Sequence, residues 1–218
     1  EGTEYGVESF VFEGKVHVLG VMKKHMTSPP VFAELGHSYP SQLDKEIETK
    51  VKNTVVKAIH SLEINFGAVN MDILITDDNR IYIVDIGARM GGNLIGSHII
   101  PHGTGLDYPS ILIKASMRED FGLFKSRPYN NIATRILNLK PGIIASLPDF
   151  VEIEEKFGVV IYHNLKSGKE IRDYRNNLDG CGYIISISKS NNLDKILEVI
   201  NHTRDYIDKS IGRQNSRN

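Results

Sequence analysis

Two apolar stretches, residues 68–76 (AVNMDILIT) and 80–87 (RIYIVDIG), lie in succession with only Asp77-Asp78-Asn79 between them, and each carries an aspartate. Their composition and the turn-type residues between them read as two antiparallel strands. Both faces of the second are apolar, with Ile81 and Ile83 on one and Tyr82 and Val84 on the other, so it is expected to be a buried central strand. A carboxylate in such a strand is costly unless something compensates its charge. A two-residue loop at Asp78-Asn79 sets Asp72 directly across from Asp85, with Cβ atoms roughly 5 Å apart. Facing carboxylates are expected to share a proton, to pair with basic residues or to hold a cation; the plain alternative is that one of them is solvated at a strand end.

The residues after Asp85 bear on that choice. Arg89 stands just past the strand, where a guanidinium can reach an anion. Gly91-Gly92 comes next and is expected to open a helix, with backbone amides able to hold oxyanions. Oxygen-only ligation points to Mg²⁺ or Mn²⁺ rather than zinc, and Mg²⁺ usually takes one or two carboxylates together with substrate phosphates. Carboxylates, an arginine and a glycine pair within one strand and loop form a pattern for phosphate chemistry.

The rest of the chain supplies a scaffold for these residues. Runs 5–12 and 15–22 read as a hairpin closed by Glu13-Gly14. Residues 23–40, with Pro29, Pro30, Gly36 and Pro40, read as a loop. Ser41 and Asp44 resemble a capping box ahead of an amphipathic helix of about six turns carrying Leu43, Ile47, Val51, Val55 and Ile59. Further helices are expected at 94–100, ending before Pro101, and at 106–118. Beyond a mixed segment at 119–131, strands are expected at 132–139, 150–154, 158–164 and 182–188, then a helix from Leu193 to Ile211 ended by Gly212. The expected domains are therefore residues 1–120 and 130–218, in an α+β chain.

Composition narrows the function classes. A net charge of −1 over 218 residues gives no general attraction to nucleic acid or to a membrane surface. The single cysteine, Cys181, excludes an intrachain disulfide and suits a cytoplasmic setting. No apolar run is long enough to span a bilayer.

At the residues around Asp72, Asp85 and Arg89 the sequence resembles the ATP-grasp superfamily, and within it the L-amino-acid ligase-like branch of carboxylate–amine ligases. The resemblance implies the C-terminal part of an ATP-grasp domain, an antiparallel sheet with flanking helices, with a smaller α+β domain after it. It implies ATP and Mg²⁺ (or Mn²⁺) as cofactors, with Asp72 and Asp85 holding the metal and Arg89 as the catalytic arginine. Where many relatives carry asparagine two residues after the second acid, this chain has Gly87, so no third ligand is assigned. The loop from Glu34 to Ser41 extends the resemblance: Glu34 and His37 match substrate-side positions, and Gly92 matches a backbone contact near the acyl-phosphate. On its own chemistry Glu34 can bind an ammonium and His37 can shuttle a proton or sit at the surface. Glu4 and Glu8 face the nucleotide or are exposed strand carboxylates. Leu74 matches the floor under the adenine, or is a core leucine. Asn93 reaches a phosphate or caps a helix.

The implied activity is amide or peptide bond formation through an acyl-phosphate, with ADP and phosphate released and a small-molecule carboxylate and amine as substrates. One alternative is a carbamoyl-phosphate-synthase- or biotin-carboxylase-like enzyme using bicarbonate; another is a non-catalytic nucleotide-binding module. Enzymes of this resemblance are about twice as long. The sequence opens at Glu1 with a strand pattern almost at once, so an N-terminal half is expected to complete it, and these residues alone are expected to be inactive. Pairing of two copies is left open.

Overall fold

The computed structural model describes residues 1–122, 128–189 and 192–214. The elements run β1 (Gly2–Phe12), β2 (Lys15–Met26), β3 (Glu34–Tyr39), α1 (Lys45–Ser61), β4 (Gly67–Thr76), β5 (Ile81–Gly87), α2 (Ile100–Thr104) and α3 (Tyr108–Ser116). They continue with β6 (Asn131–Ile136), β7 (Gly142–Ser146), α4 (Phe150–Phe157), β8 (Val160–His163), β9 (Glu170–Ile171), β10 (Gly182–Ser188), α5 (Leu193–Ser210) and β11 (Gly212–Arg213). The chain divides into two units, residues 1–24 with 38–131 and residues 25–37 with 132–218. This is the expected α+β architecture, with antiparallel pairing and flanking helices.

In the first unit the strands lie in the order β5-β4-β1-β2. The alternation of side chains assigns Tyr5, Val7, Val21, Val69, Met71 and Ile73 to one face, where they pack with Val51, Val55 and Ile59 of α1. The other face carries Glu4, Glu8, Asn70 and Asp72 together with the apolar Phe10 and Leu74. Helix α1 has 17 residues, fewer than six turns need, because Asp44 rather than Ser41 stands at its N-cap. Strand β5 is the edge strand, which corrects the expectation of a buried central one. Tyr82 and Val84 are 47% and 60% exposed. Apolar residues on both faces cannot by themselves separate a covered strand from an edge.

In the second unit β3, β6, β10 and β8 lie side by side, and β11, β7 and β9 form a small sheet. Leu137, Ile144, Ile153 and Ile184 share a core with Leu193, Ile196, Ile200 and Ile207 of α5. Two expectations fail here. Residues 23–40 are not all loop, because β3 begins at Glu34. Gly36 allows this: its φ is 146°, and a Cβ there would lie 2.0 Å from the carbonyl oxygen of Thr134. Residues 150–154 are helix, not strand. Asp149 caps α4 by accepting from the amides of Val151 and Glu152 at 2.8 and 3.3 Å, and Gly158, at φ 63°, ends it.

The stretch after β5 also departs from expectation. A π-helical turn at Ile95–Ile99 leads into α2, which carries Pro101 in its first turn, where a missing N–H costs little. Among the described residues no helix is long and apolar enough to cross a membrane.

Candidate active site

The face of the first unit opposite α1 is assembled by strand register. Gly6 pairs with Asp72, Glu8 with Asn70 and Glu4 with Leu74 across β1 and β4. Asp72 pairs with Asp85 and Leu74 with Tyr82 across β4 and β5. Directly paired residues point to one side of a sheet, so Glu4, Asp72, Leu74, Tyr82 and Asp85 share a face.

Asp72 and Asp85 do stand opposite each other, though not through a two-residue loop. The hairpin closes with the Thr76 amide donating to the Arg80 carbonyl at 3.0 Å, leaving Asp77-Asp78-Asn79 as the turn. Continued without interruption, that register would pair Asp85 with Met71, whose side chain lies in the core. The register shifts beside Asp72, where Ile73 pairs with Ile83 and Asp72 with Asp85, so Val84 is the extra residue of a β-bulge. The bulge moves Asp85 onto the face of Asp72.

Asp72 is compensated by a lysine that sequence reasoning missed. Lys24, only 8% exposed, donates from Nζ to Asp72 Oδ2 at 2.8 Å and lies 3.4 Å from Glu4 Oε2. A signal was present in the β1–β2 hairpin. Tyr5 pairs with Lys23, and one step further brings Lys24 beside Glu4. Asp85 is exposed, so solvent relieves the cost assumed for a buried carboxylate. Leu74 is partly exposed on this face rather than a core leucine.

Glu8 is neither exposed nor open to a ligand. It is fully buried and accepts hydrogen bonds from the Gly91 amide at 3.2 and 3.1 Å, from Asn70 Nδ2 at 3.1 Å and from the Tyr108 hydroxyl at 2.9 Å. Burial pushes its carboxyl up to about 7, against those hydrogen bonds and the Arg89 charge, which pull it down. The Gly91 amide is therefore engaged by Glu8 and is not available to an oxyanion, which corrects that half of the glycine-pair expectation. Gly91 is sterically required. A Cβ would lie 2.8 Å from Glu8 Oε2 and Asn70 Nδ2, and 2.9 Å from Ile95 Cβ. Gly92 is exposed with open space around it. Neither glycine opens a helix directly, since Asn93 and Leu94 take positive φ (47° and 68°) before the π turn. Asn93 is accordingly not a helix cap.

Arg89 is exposed and donates from Nη1 to the Met90 carbonyl at 3.0 Å. Its stem lies over Gly87, where a Cβ would be 3.4 Å from Arg89 Cγ. Gly87 pairs with Asn70, two residues from the Asp72–Asp85 pair, so the arginine starts on the acidic face.

Glu34 and His37 belong to the second unit. Both are buried, with His37 Nδ1 3.4 Å from Glu34 Oε1. The His37 amide donates to Thr134 Oγ1 at 3.1 Å, and the Tyr174 hydroxyl donates to the Glu34 carbonyl oxygen. The histidine is therefore an interior partner of the glutamate and not a surface residue. Burial and the Glu34 charge both raise the Tyr174 and Tyr183 phenols.

Residues 1–97 match the model of the ATP-grasp domain family. Similar solved structures include an L-amino acid ligase from Bacillus licheniformis, 22% identical with a TM-score of 0.83, covering 98% of this chain and 55% of that one. Phosphoribosylglycinamide synthetase from Anaerococcus prevotii is 25% identical with a TM-score of 0.78, at 98% and 53% coverage. Biotin carboxylase from Campylobacter jejuni shares the fold at 14% identity and a TM-score of 0.68, at 95% and 49% coverage. The chain thus spans about half the length of the structures it matches. No curated protein matches it in sequence.

Proposed function

We propose that this chain forms one wall of an ATP-dependent enzyme that activates an oxyacid as a mixed anhydride with phosphate and passes it to an amine. The observation that carries the reading is the bulged hairpin that turns Asp85 to the side of Asp72, with Arg89 rising from the same face.

The donor set suits a divalent cation carried by phosphates. Asp72 has one oxygen on Lys24 and one remaining, Asp85 is exposed, and all donors are oxygen. Among the described residues no cluster of three or more histidine, cysteine or acidic side chains could hold a metal by itself. Asp72 and Asp85 would hold the ion, which supplies charge neutralisation at the phosphates when bound.

In the proposed reaction a carboxylate oxygen bonds to the γ-phosphorus of ATP as the bond to the bridging oxygen breaks, and ADP leaves. An amine nitrogen then bonds to the acyl carbon, phosphate leaves, and the nitrogen loses a proton. Arg89 donates to the phosphoryl oxygens as their charge rises. The Gly92 amide contributes at the acyl-phosphate, and Leu74 and Glu4 contact the nucleotide. Glu34 and His37 bind a substrate ammonium and move its proton.

Two oxyacids compete for the first step. A 2-oxoglutarate carboxylase biotin carboxylase domain that shares this fold, solved with MgADP and bicarbonate, favours bicarbonate. The buried Glu34–His37 pair favours an amino acid. Phosphate release by a longer protein carrying this chain, assayed with bicarbonate and amines against amino-acid pairs, separates them. Arg89→Ala should lower that release by on the order of 10³-fold. Wild-type turnover in Arg89→Ala would refute the role given to the arginine. Nucleotide binding without ADP release under every mixture would show a non-catalytic module.

A further inference from the structure

Glu8 makes no contact that a substrate needs, yet it is the most heavily hydrogen-bonded carboxylate near Arg89. The peptide between Met90 and Gly91 links the two: its N–H donates to the Glu8 carboxylate, and its C=O accepts from Arg89 Nη1. A peptide unit is planar, so fixing the direction of its N–H fixes the direction of its C=O. Tyr108 of α3 and Asn70 of β4 hold the carboxylate from two further sides. Gly91 lets the peptide come this close, since any side chain there would strike Glu8 and Asn70. On the far side, Met90 lies against Gly96, where a Cβ would be 2.0 Å from Met90 Cγ.

We propose that Glu8 is a positioning residue, which sets the direction of the Arg89 guanidinium through the Met90–Gly91 peptide plane. The proposal deepens the functional reading and rests on it for what Arg89 does, but the mechanical link stands on geometry alone. Charge strengthens it. An ionised Glu8 accepts both the Gly91 and Tyr108 bonds more strongly than a protonated one. The charged and titratable groups acting on Glu8 are Arg89 from the loop and Tyr108 from α3; β4 presents the Asn70 amide and β2 presents Gly20. Protonating Glu8 therefore loosens the peptide and releases the guanidinium.

The test uses the ¹⁵N-labelled chain without nucleotide, tracking the Gly91 amide and the Arg89 Nε–H signal against pH. Both should titrate with one shared midpoint near 7. Both titrations should vanish in Glu8→Gln, and both midpoints should move up together in Tyr108→Phe, which removes a bond favouring the ionised form. If Glu8→Gln does not fold, the Tyr108→Phe shift decides the matter. An Arg89 signal that stays flat, or that titrates apart from Gly91, would overturn the proposal. In an active longer protein, Glu8→Gln should lower kcat by up to about 10²-fold with little change in KM for ATP. Because the spectra need no turnover, an inactive protein would count against the ligase reading and leave the positioning link to stand or fall on its own.

Discussion

Replacing Lys24 by methionine should turn a compensated acidic face into one that needs a cation from solution. Lys24 is held between Asp72 Oδ2 at 2.8 Å and Glu4 Oε2 at 3.4 Å, with its own side chain 7% exposed and those of the two acids 29% and 28% exposed. Breaking a fully buried pair costs about 3–5 kcal/mol, because the remaining charge has no partner. Water reaches these acids, so a loss of about 1–3 kcal/mol is expected. With a urea slope of roughly 2 kcal/mol/M, that lowers the unfolding midpoint by about 1 M. Methionine keeps the length of the lysine stem, so little of the loss comes from packing. The substitution also frees the Asp72 oxygen beside Asp85. Mg²⁺ should then stabilise Lys24→Met more than the wild type, by about 0.4 kcal/mol at a concentration equal to its Kd and about 1.4 kcal/mol at ten times that. Urea unfolding monitored by far-UV circular dichroism, in MgCl2 and in NaCl of equal ionic strength, reads both effects. Equal stability of the two proteins in NaCl would refute the ion-pair reasoning. Equal responses to Mg²⁺ would refute the placing of a cation site at Asp72 and Asp85.

Glu8 should leave a mark on the pH dependence of stability. Its ordinary value of 4.5 is raised to about 7 by burial, so between those two values the folded chain holds more proton than the unfolded one. Stability from this group is thus complete below about 4.5 and is lost as pH rises through about 7, by up to about 3 kcal/mol. Thermal unfolding across that window should show the slope in the wild type and lose it in Glu8→Gln. The adjacent glycines should part company. Gly91→Ala, with contacts of 2.8 and 2.9 Å to absorb, should cost about 1–3 kcal/mol, whereas Gly92→Ala, in open space, should be within about 0.5 kcal/mol of wild type by the same measurement. Gly36→Ala, facing a carbonyl oxygen 2.0 Å away at a φ of 146°, should destabilise the second unit by more than either, read as a drop in the urea midpoint.

By itself the sequence determined the β1–β2 and β4–β5 hairpins, the apolar face of α1, an aspartate on each strand of the second hairpin and the loop arginine beyond it. All of these are written in periodicity, turn residues and spacing along one stretch of chain. It misjudged whatever depends on what lies across the sheet. The even apolar pattern of 80–87 looked central, but among the described residues no strand covers its outer side. For Asp72 a shared proton, a basic partner and a cation all stayed open, because its partner, Lys24, arrives from a strand 48 residues earlier. Glu8 read as facing the nucleotide or as an exposed strand carboxylate, because Tyr108, which closes over it, lies 100 residues on. Even the pairing of Asp72 with Asp85 required a bulge at Val84, which no residue in the hairpin announces. Local patterns fix which face a side chain takes. Only the packing of distant strands and helices decides whether that face meets water, a counter-charge or a backbone amide, and so whether a carboxylate there is free to act.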